Sequence, residues 1–148
     1  MALSVAAGTE TLHGYSFGLL DGTQDLIFGA QHHIYTVISI IAFCRAVGAV
    51  SDTATIQILG NNNHITGTAQ TMKIANYICA ANETFVFNDK FSFNGFETAA
   101  YTEPLDDNAK QLLQAAQGSA VPQRLQMTTT DADVDLDVHV TFIDQNNA

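Results

Sequence analysis

The sequence predicts an all-β domain, a β-sandwich of jelly-roll type with one short helical insertion. Three observations predict it. Short runs rich in Val, Ile, Thr, Tyr and Phe recur along the chain, separated by clusters of Gly, Asn and Asp, the pattern of strands joined by turns. The final run is the cleanest: Val134, Leu136, Val138, Val140 and Phe142 alternate with Asp133, Asp135, Asp137, His139 and Thr141, so one face is buried and the other wet. One segment alone departs from this two-residue period and carries its apolar residues at helical spacing.

The elements follow in chain order. The first twenty-odd residues are small and weakly periodic, punctuated by Gly8, Gly14, Gly18 and Gly22. They are expected to form an N-terminal arm over residues 1–22, with one short strand around His13–Leu20, held against its own domain or a neighbour. Asp25–Phe28 is a strand and Gly29–His32 a turn. His33–Arg45 is a long strand. It is apolar at both odd positions (Tyr35, Val37, Ile41, Phe43) and even ones (Ile34, Ile38, Ile40, Ala42, Cys44). That predicts a central strand covered on both sides, or on one side by another subunit. Helix competes over so long a run, but the density of β-branched residues opposes it. Ala46–Asp52 is a loop, Thr53–Leu59 a strand and Gly60–Asn63 a turn. Short strands are expected at Gln70–Ala75, Asn76–Cys79, Thr84–Phe87 and Lys90–Phe93, with Asn88-Asp89 as a hairpin turn between the last two.

The helical insertion is expected at about residues 98–122. Pro104 and acids stand near its start, Gly118 suits its end, and Leu105, Ala109, Leu112, Leu113 and Ala116 form one apolar stripe. Arg124–Thr129 and the final strand close the domain, which spans residues 23–148. No internal repeat and no interdomain linker interrupts it.

Composition bounds the function. The 148 residues make one domain, large enough for a core without metal or disulfide support. Five Lys and Arg stand against fifteen Asp and Glu, a net charge of −10. Scattered Arg45, Lys73, Lys90, Lys110 and Arg124 form no patch, which argues against nucleic acid and against an anionic membrane surface. Only 14% of residues are charged, less than a lone monomer usually carries, so a homo-oligomer or larger assembly is expected. The start of the chain lacks the basic and apolar regions of a signal peptide. The longest apolar run, Ile34–Cys44, is far short of the ~20 residues that span a bilayer. A soluble protein made in the cytoplasm is expected. Cys44 and Cys79 have no CxxC or zinc spacing and are expected as buried free thiols, a disulfide requiring the fold to bring them together. Asn82-Glu83-Thr84 fits the glycosylation sequon, which has no meaning without secretion.

The stretch Asp25-Leu26-Ile27-Phe28-Gly29-Ala30-Gln31-His32-His33-Ile34-Tyr35-Thr36-Val37-Ile38-Ser39-Ile40 resembles the opening hairpin of small β-sandwich virion proteins of tailed bacteriophages. Ile78–Phe87 resembles their run of small residues followed by a strand, and Asp133–Ile143 their closing strand. The resemblance covers roughly 25–95 and 124–143 and is one of pattern, without an invariant motif; the arm and the insertion depart from it. It implies a capsid decoration (cement) or tail-associated protein in the virion, made in the host cytoplasm. Its partner would be the major capsid protein or another virion protein; oligomeric state and docking mode do not carry over from the resemblance, and the homo-oligomer, set here as a trimer, is the expectation from composition. The resemblance transfers no catalytic residues.

Chemical constellations are few. Asp131, Asp133, Asp135 and Asp137 form an acidic series. Same-face residues on a strand lie ~6.5–7 Å apart, whereas calcium takes roughly six to eight oxygens at about 2.3–2.6 Å. The series is therefore expected as a solvated or partner-facing stripe, without metal, and it does not offer the facing carboxylates of a glycosidase. His32 and His33 would point to opposite faces, and His13, His64 and His139 are isolated, so no zinc site is expected. Gly14-Tyr15-Ser16-Phe17-Gly18 matches the Gly-x-Ser-x-Gly pattern, but a nucleophile elbow needs a strand before the serine and a helix after it. Here Leu19-Leu20-Asp21-Gly22 leads into a turn. Tyr15, Tyr35, Tyr77 and Tyr101 are candidates for stacking on sugar if exposed, and core residues otherwise. No catalytic, cofactor or metal residue is expected. The expectation is a non-enzymatic virion structural protein, with a carbohydrate-binding or receptor-binding tail module as the alternative and a hydrolase using Ser16 or a hidden acid pair as the weakest.

Overall fold

The computed structural model describes residues 9–30, 32–61, 69–97 and 121–146. Eleven strands run in the order β1 (Glu10–Leu20), β2 (Thr23–Phe28), β3 (His33–Ala46), β4 (Thr53–Asn61), β5 (Ala69–Ile78), β6 (Thr84–Phe87), β7 (Phe91–Asn94), β8 (Phe96–Glu97), β9 (Val121–Pro122), β10 (Arg124–Thr129) and β11 (Asp135–Asn146). One sheet has the order β1-β11-β3-β6, with β7 also on β3; the other has the order β2-β10-β4-β5. All pairings within them are antiparallel. The result is an all-β, two-sheet sandwich. No helix occurs among the described residues, and so none there is long and apolar enough to cross a membrane.

The core lies between the sheets. Tyr35, Val37, Ile40, Ala42, Val134, Leu136, Val138, Val140 and Phe142 of the first sheet and its approach meet Leu26, Ile27, Ala54, Ile56, Leu125 and Met127 of the second, all buried. Tyr77 on β5 stacks on Phe85 of β6 across the gap, ring centroids 4.2 Å apart. In β11 every even-numbered residue from Leu136 to Asn146 is buried, as its alternation predicts.

β3 has a different logic from the one its composition suggests. Thr141 pairs with Ser39 but Phe142 with Val37, so Ile38 is an extra residue that bulges. The bulge reverses the inward parity: Tyr35 and Val37 face the core before it, Ile40, Ala42 and Cys44 after it. Both parities are apolar because each is inward for half of the strand. Ile41, at 39% exposure, and the half-buried Phe43 still face outward.

Three other expectations are corrected. Residues 10–20 are no arm or short strand but an eleven-residue strand paired with β11, and Leu20 belongs to the core. Residues 69–78 form one strand, not two. Asn88-Asp89 makes no hairpin: β6 and β7 both run antiparallel to β3, β6 against Ile40–Phe43 and β7 against Ile34–Val37. They are one edge strand interrupted at residues 88–90. A two-residue type I′ turn needs positive φ, and the described non-glycine residues with positive φ are His32 and Asn82. Nearly all of the expected insertion, residues 98–120, lies outside the described residues. Its flanks Phe96–Glu97 and Val121–Pro122 pair with each other, so the chain leaves and rejoins the sandwich at one place.

Candidate functional site

The two outer faces differ. On the β2-β10-β4-β5 sheet the outward polar side chains bond one another across strands. Gln126 Nε2 donates to Asp25 Oδ1 at 2.8 Å, Gln57 Nε2 to Gln126 Oε1 at 3.0 Å, and the Thr55 hydroxyl to Asn76 Oδ1 at 2.7 Å. That ladder satisfies its own groups. The outer face of the larger sheet mixes apolar and polar side chains. Exposed Leu12, Ile41 and Val86 stand with Phe43, the Arg45–Asp137 ion pair at 2.6 Å, and Ser16 with His139.

Ser16 and His139 are cross-strand partners on β1 and β11. The serine hydroxyl lies 2.8 Å from His139 Nδ1. Gly14 makes room for the ring: a Cβ there would come within 3.2 Å of His139 Nε2. Small residues on β1 thus floor a shallow groove of about 470 Å³ bounded by Ser16, Gly18, Ile41, Phe43, Asp137 and His139.

The structure brings together two residues that sequence reasoning kept apart, and a histidine beside Ser16 is what a hydrolase reading required. The rest of that apparatus does not follow. Ser16 sits within a continuous strand, so the strained strand-to-helix elbow of the Gly-x-Ser-x-Gly motif is not formed. His139 meets Ser16 through Nδ1, the ring nitrogen that a serine triad gives to its orienting carboxylate, and not through Nε2. Asp137, on the same face, accepts a hydrogen bond from Arg45 Nε at 2.6 Å.

The other candidates fall as follows. Asp131 and Asp133 lie in the turn before β11, where Asp131 Oδ1 accepts the Asp133 N–H at 2.9 Å; Asp135 and Asp137 start the strand. The four acids therefore do not form one straight stripe. No group of three or more His, Cys, Asp or Glu is arranged to hold a metal among the described residues. His13 turns inward and packs on Tyr15 and Phe142. His32 takes positive φ in the turn before β3. His33 is buried against Asp144 at 2.7 Å, a pair that no local signal marked. His64 and Tyr101 lie outside the described residues.

Tyr35 is 1% exposed, accepts the Ala30 N–H at 3.0 Å, and has its pKa pushed up to about 12 by burial and, secondarily, by Asp144. Tyr77 packs on Phe85, and its pKa too is raised by burial. Tyr15 packs on His13 and Phe142. These three tyrosines line the inside of the sandwich and offer no exposed platform for a sugar ring. A second hollow, about 420 Å³, opens at the β1/β2 side, lined by Tyr15, Phe17, Leu26, Ile27, Phe28 and Phe142 among others.

The fold is an antiparallel β-sandwich of two sheets; its second sheet carries a ladder of bonded polar side chains beside exposed Phe28 and Ile78. No protein-family model and no curated protein matches the chain. Among solved structures it is similar to a subunit of the disulfide-linked pili of Bacillus endospore appendages (8% identity, TM-score 0.38, all of both chains covered). It is also similar to a chain of T=1 particles derived from infectious bursal virus (8% identity, TM-score 0.44), covering 99% of this chain and 34% of that one. A third is the Clostridium thermocellum xylanase 10B with its CBM22-1 and GH10 modules (15% identity, TM-score 0.40), covering 90% of this chain and 24% of that one. The chain thus spans about a third of the viral chain and a quarter of the xylanase chain. Likenesses this weak say nothing of what this chain does.

Proposed function

We propose that the chain is a non-enzymatic structural protein of a virion, a capsid decoration (cement) protein of a tailed phage that joins copies of itself and the major capsid protein. One observation carries the reading: among the described residues, of the four edges of the two larger sheets, β1 is the long one without the usual guards. β6/β7 is interrupted at Asn88-Asp89-Lys90, β5 carries Lys73 and a bulge, and β2 is short and bulged. Native edges are protected by such devices because an open edge pairs with other chains. β1 carries no Lys, Arg or Pro, and its ladder to β11 is regular from Glu10 to Phe17. The Asn146 N–H donates to the Thr9 carbonyl at 3.0 Å. With antiparallel alternation this turns the backbone groups of Glu10, Leu12, Gly14 and Ser16 toward the free edge.

The strand order supports the finer fold assignment. With β6 and β7 counted as one, eight strands pair first with last, second with second-last, and so inward: β1·β11, β2·β10, β3·β6/β7 and β4·β5. A folded-over antiparallel ribbon of this kind is the plan of a jelly roll, an architecture used by capsid and lectin domains. A net charge of −10 favours protein over nucleic acid as partner.

The test is association. Leu12→Pro removes an N–H that faces the open edge, and Leu12→Lys places a charge there; Leu12 is 66% exposed, so neither disturbs the core. The wild type should sediment as an oligomer and co-sediment with phage heads. Both variants should remain folded monomers that do neither. A monomeric wild type that ignores heads overturns the proposal, as do variants that associate normally. The alternative, a carbohydrate-binding or receptor-binding tail module, draws on the groove beside Ser16 and His139, where hydroxyl, imidazole and carboxylate adjoin Ile41 and Phe43. Glycan binding abolished by His139→Ala would favour it.

A further inference from the structure

The chain has two cysteines, and the fold brings them together. Cys44 lies near the end of β3 in one sheet, and Cys79 directly follows β5 in the other. Both are buried, at 1% and 3% exposure, in the same core. The turn after Cys79 clasps Cys44 from both sides: the Cys44 N–H donates to the Glu83 carbonyl at 2.8 Å, and the Asn82 N–H to the Cys44 carbonyl at 2.7 Å. Asn82 takes positive φ to make that turn. Cys79 is anchored in turn by its own N–H on the Asp52 carbonyl at 2.8 Å. The two thiols interact side chain to side chain. Neither takes part in the assembly surfaces described above.

We infer that Cys44 and Cys79 are a latent inter-sheet cross-link, reduced in a thiol-rich cytoplasm and closed by a peroxide once the protein leaves it. The chemistry balances. One thiolate attacks a peroxide oxygen, giving a sulfenic acid and releasing hydroxide, which leaves as water after protonation. The second thiolate attacks the sulfenic sulfur, forms the S–S bond and expels a second hydroxide as water. Each molecule of hydrogen peroxide is reduced to two of water as two thiols become one disulfide. The bond would join β3 to the end of β5, closing the chain between them and restricting the unfolded state.

Burial makes this closure slow. It pushes the Cys79 pKa up to about 11 and raises that of Cys44, so little thiolate exists at neutral pH. Closure should therefore quicken as pH rises through the alkaline range.

The experiment treats the full chain with dilute hydrogen peroxide at several pH values and follows intact mass, peptide mapping without reductant, and melting. The expected result is a loss of two hydrogens, one linked pair of peptides containing Cys44 and Cys79, and a Tm higher by several degrees that reductant reverses. Cys44→Ala and Cys79→Ala should show neither the mass loss nor the peroxide-induced rise. Addition of oxygen without linkage, disulfides between chains, or a linked form that melts lower would overturn the inference. None of these readouts depends on whether the protein binds a capsid.

Discussion

His33 Nδ1 lies 2.7 Å from Asp144 Oδ1, with the aspartate wholly inaccessible, and the second carboxylate oxygen, Oδ2, has no hydrogen-bond partner among the described residues. The two residues are at the start of β3 and near the end of β11, where His33 is in register with Asn146 and Asp144 with Tyr35, so the contact is diagonal. Asp144→Ala should leave the buried imidazole without its acceptor and cost about 1–3 kcal/mol. Asp144→Asn keeps an acceptor of the same shape and should cost less than half of that. Urea denaturation measures both. Equal losses would mean that the charge, not the hydrogen bond, holds the pair.

Tyr35 gives a pH prediction with a definite sign. Its folded pKa is about 12 against an ordinary 10.0, because burial and then Asp144 oppose the phenolate. The folded state keeps its proton where the unfolded state has begun to lose it. The contribution is therefore complete below pH 10 and is lost as pH rises through about 12. The full loss is about 3 kcal/mol. Tyr35→Phe should flatten that part of the alkaline stability profile, while lowering stability at neutral pH by about 1–2 kcal/mol through the Ala30 N–H it leaves unpaired. Cys79 titrates nearby, so the informative quantity is the difference between wild type and variant. A profile unchanged in Tyr35→Phe removes the assignment.

Much of the sandwich is legible in the sequence where a strand keeps one period throughout, as in β11. It becomes illegible at bulges. Ile38 reverses the parity of β3, and an extra residue, Leu26, puts Leu26 and Ile27 of β2 both inside. Composition cannot tell a bulged strand from one covered on both faces. β1 was obscured by Gly14 and Gly18, although the inward series His13, Tyr15, Phe17 carried the two-residue signal. The pairings Ser16–His139 and His33–Asp144 depend on register between distant strands, and no local pattern encodes that.

Gly95 shows where packing tolerates no side chain. Its N–H donates to the His33 carbonyl at 2.8 Å and its carbonyl accepts the Gln123 N–H at 3.0 Å, while Gln123 in turn accepts the Gly29 N–H at 2.9 Å. A Cβ on Gly95 would stand 2.3 Å from the Ala30 carbonyl oxygen and 2.9 Å from the Tyr35 ring. Backbone must shift to admit it, so Gly95→Ala should cost about 1–3 kcal/mol or more. At Gly18 the nearest atom to a Cβ is Asp137 Oδ1, at 3.7 Å. Gly18→Ala should stay within about 0.5 kcal/mol of wild type. Comparable losses in thermal melts of the two variants would contradict the close crossing at Gly95.

Truncation at the start of the chain separates the roles of its segments. β1 pairs with β11 from Glu10 to Phe17, Leu20 is buried, and Tyr15 and Phe17 pack on the core. The corner after it is tied down as well: the Gly22 N–H donates to Thr129 Oγ1 at 2.8 Å, and the Gly22 carbonyl accepts the Thr129 N–H at 3.0 Å. Burying a large apolar side chain contributes about 1.5–3 kcal/mol, and a domain's whole stability is about 5–15 kcal/mol. Losing three such side chains together with a ladder removes a large part of it and exposes the β11 side of the core. Deleting Met1–Gly22 should therefore abolish cooperative folding, seen as loss of near-ultraviolet circular dichroism and of soluble yield. Deleting only residues 1–8 leaves β1 in place and should preserve both the fold and association. A folded protein after the longer deletion would show that β11 can close the sheet alone. Loss of association after the shorter one would move the assembly contact from the β1 edge to the first eight residues.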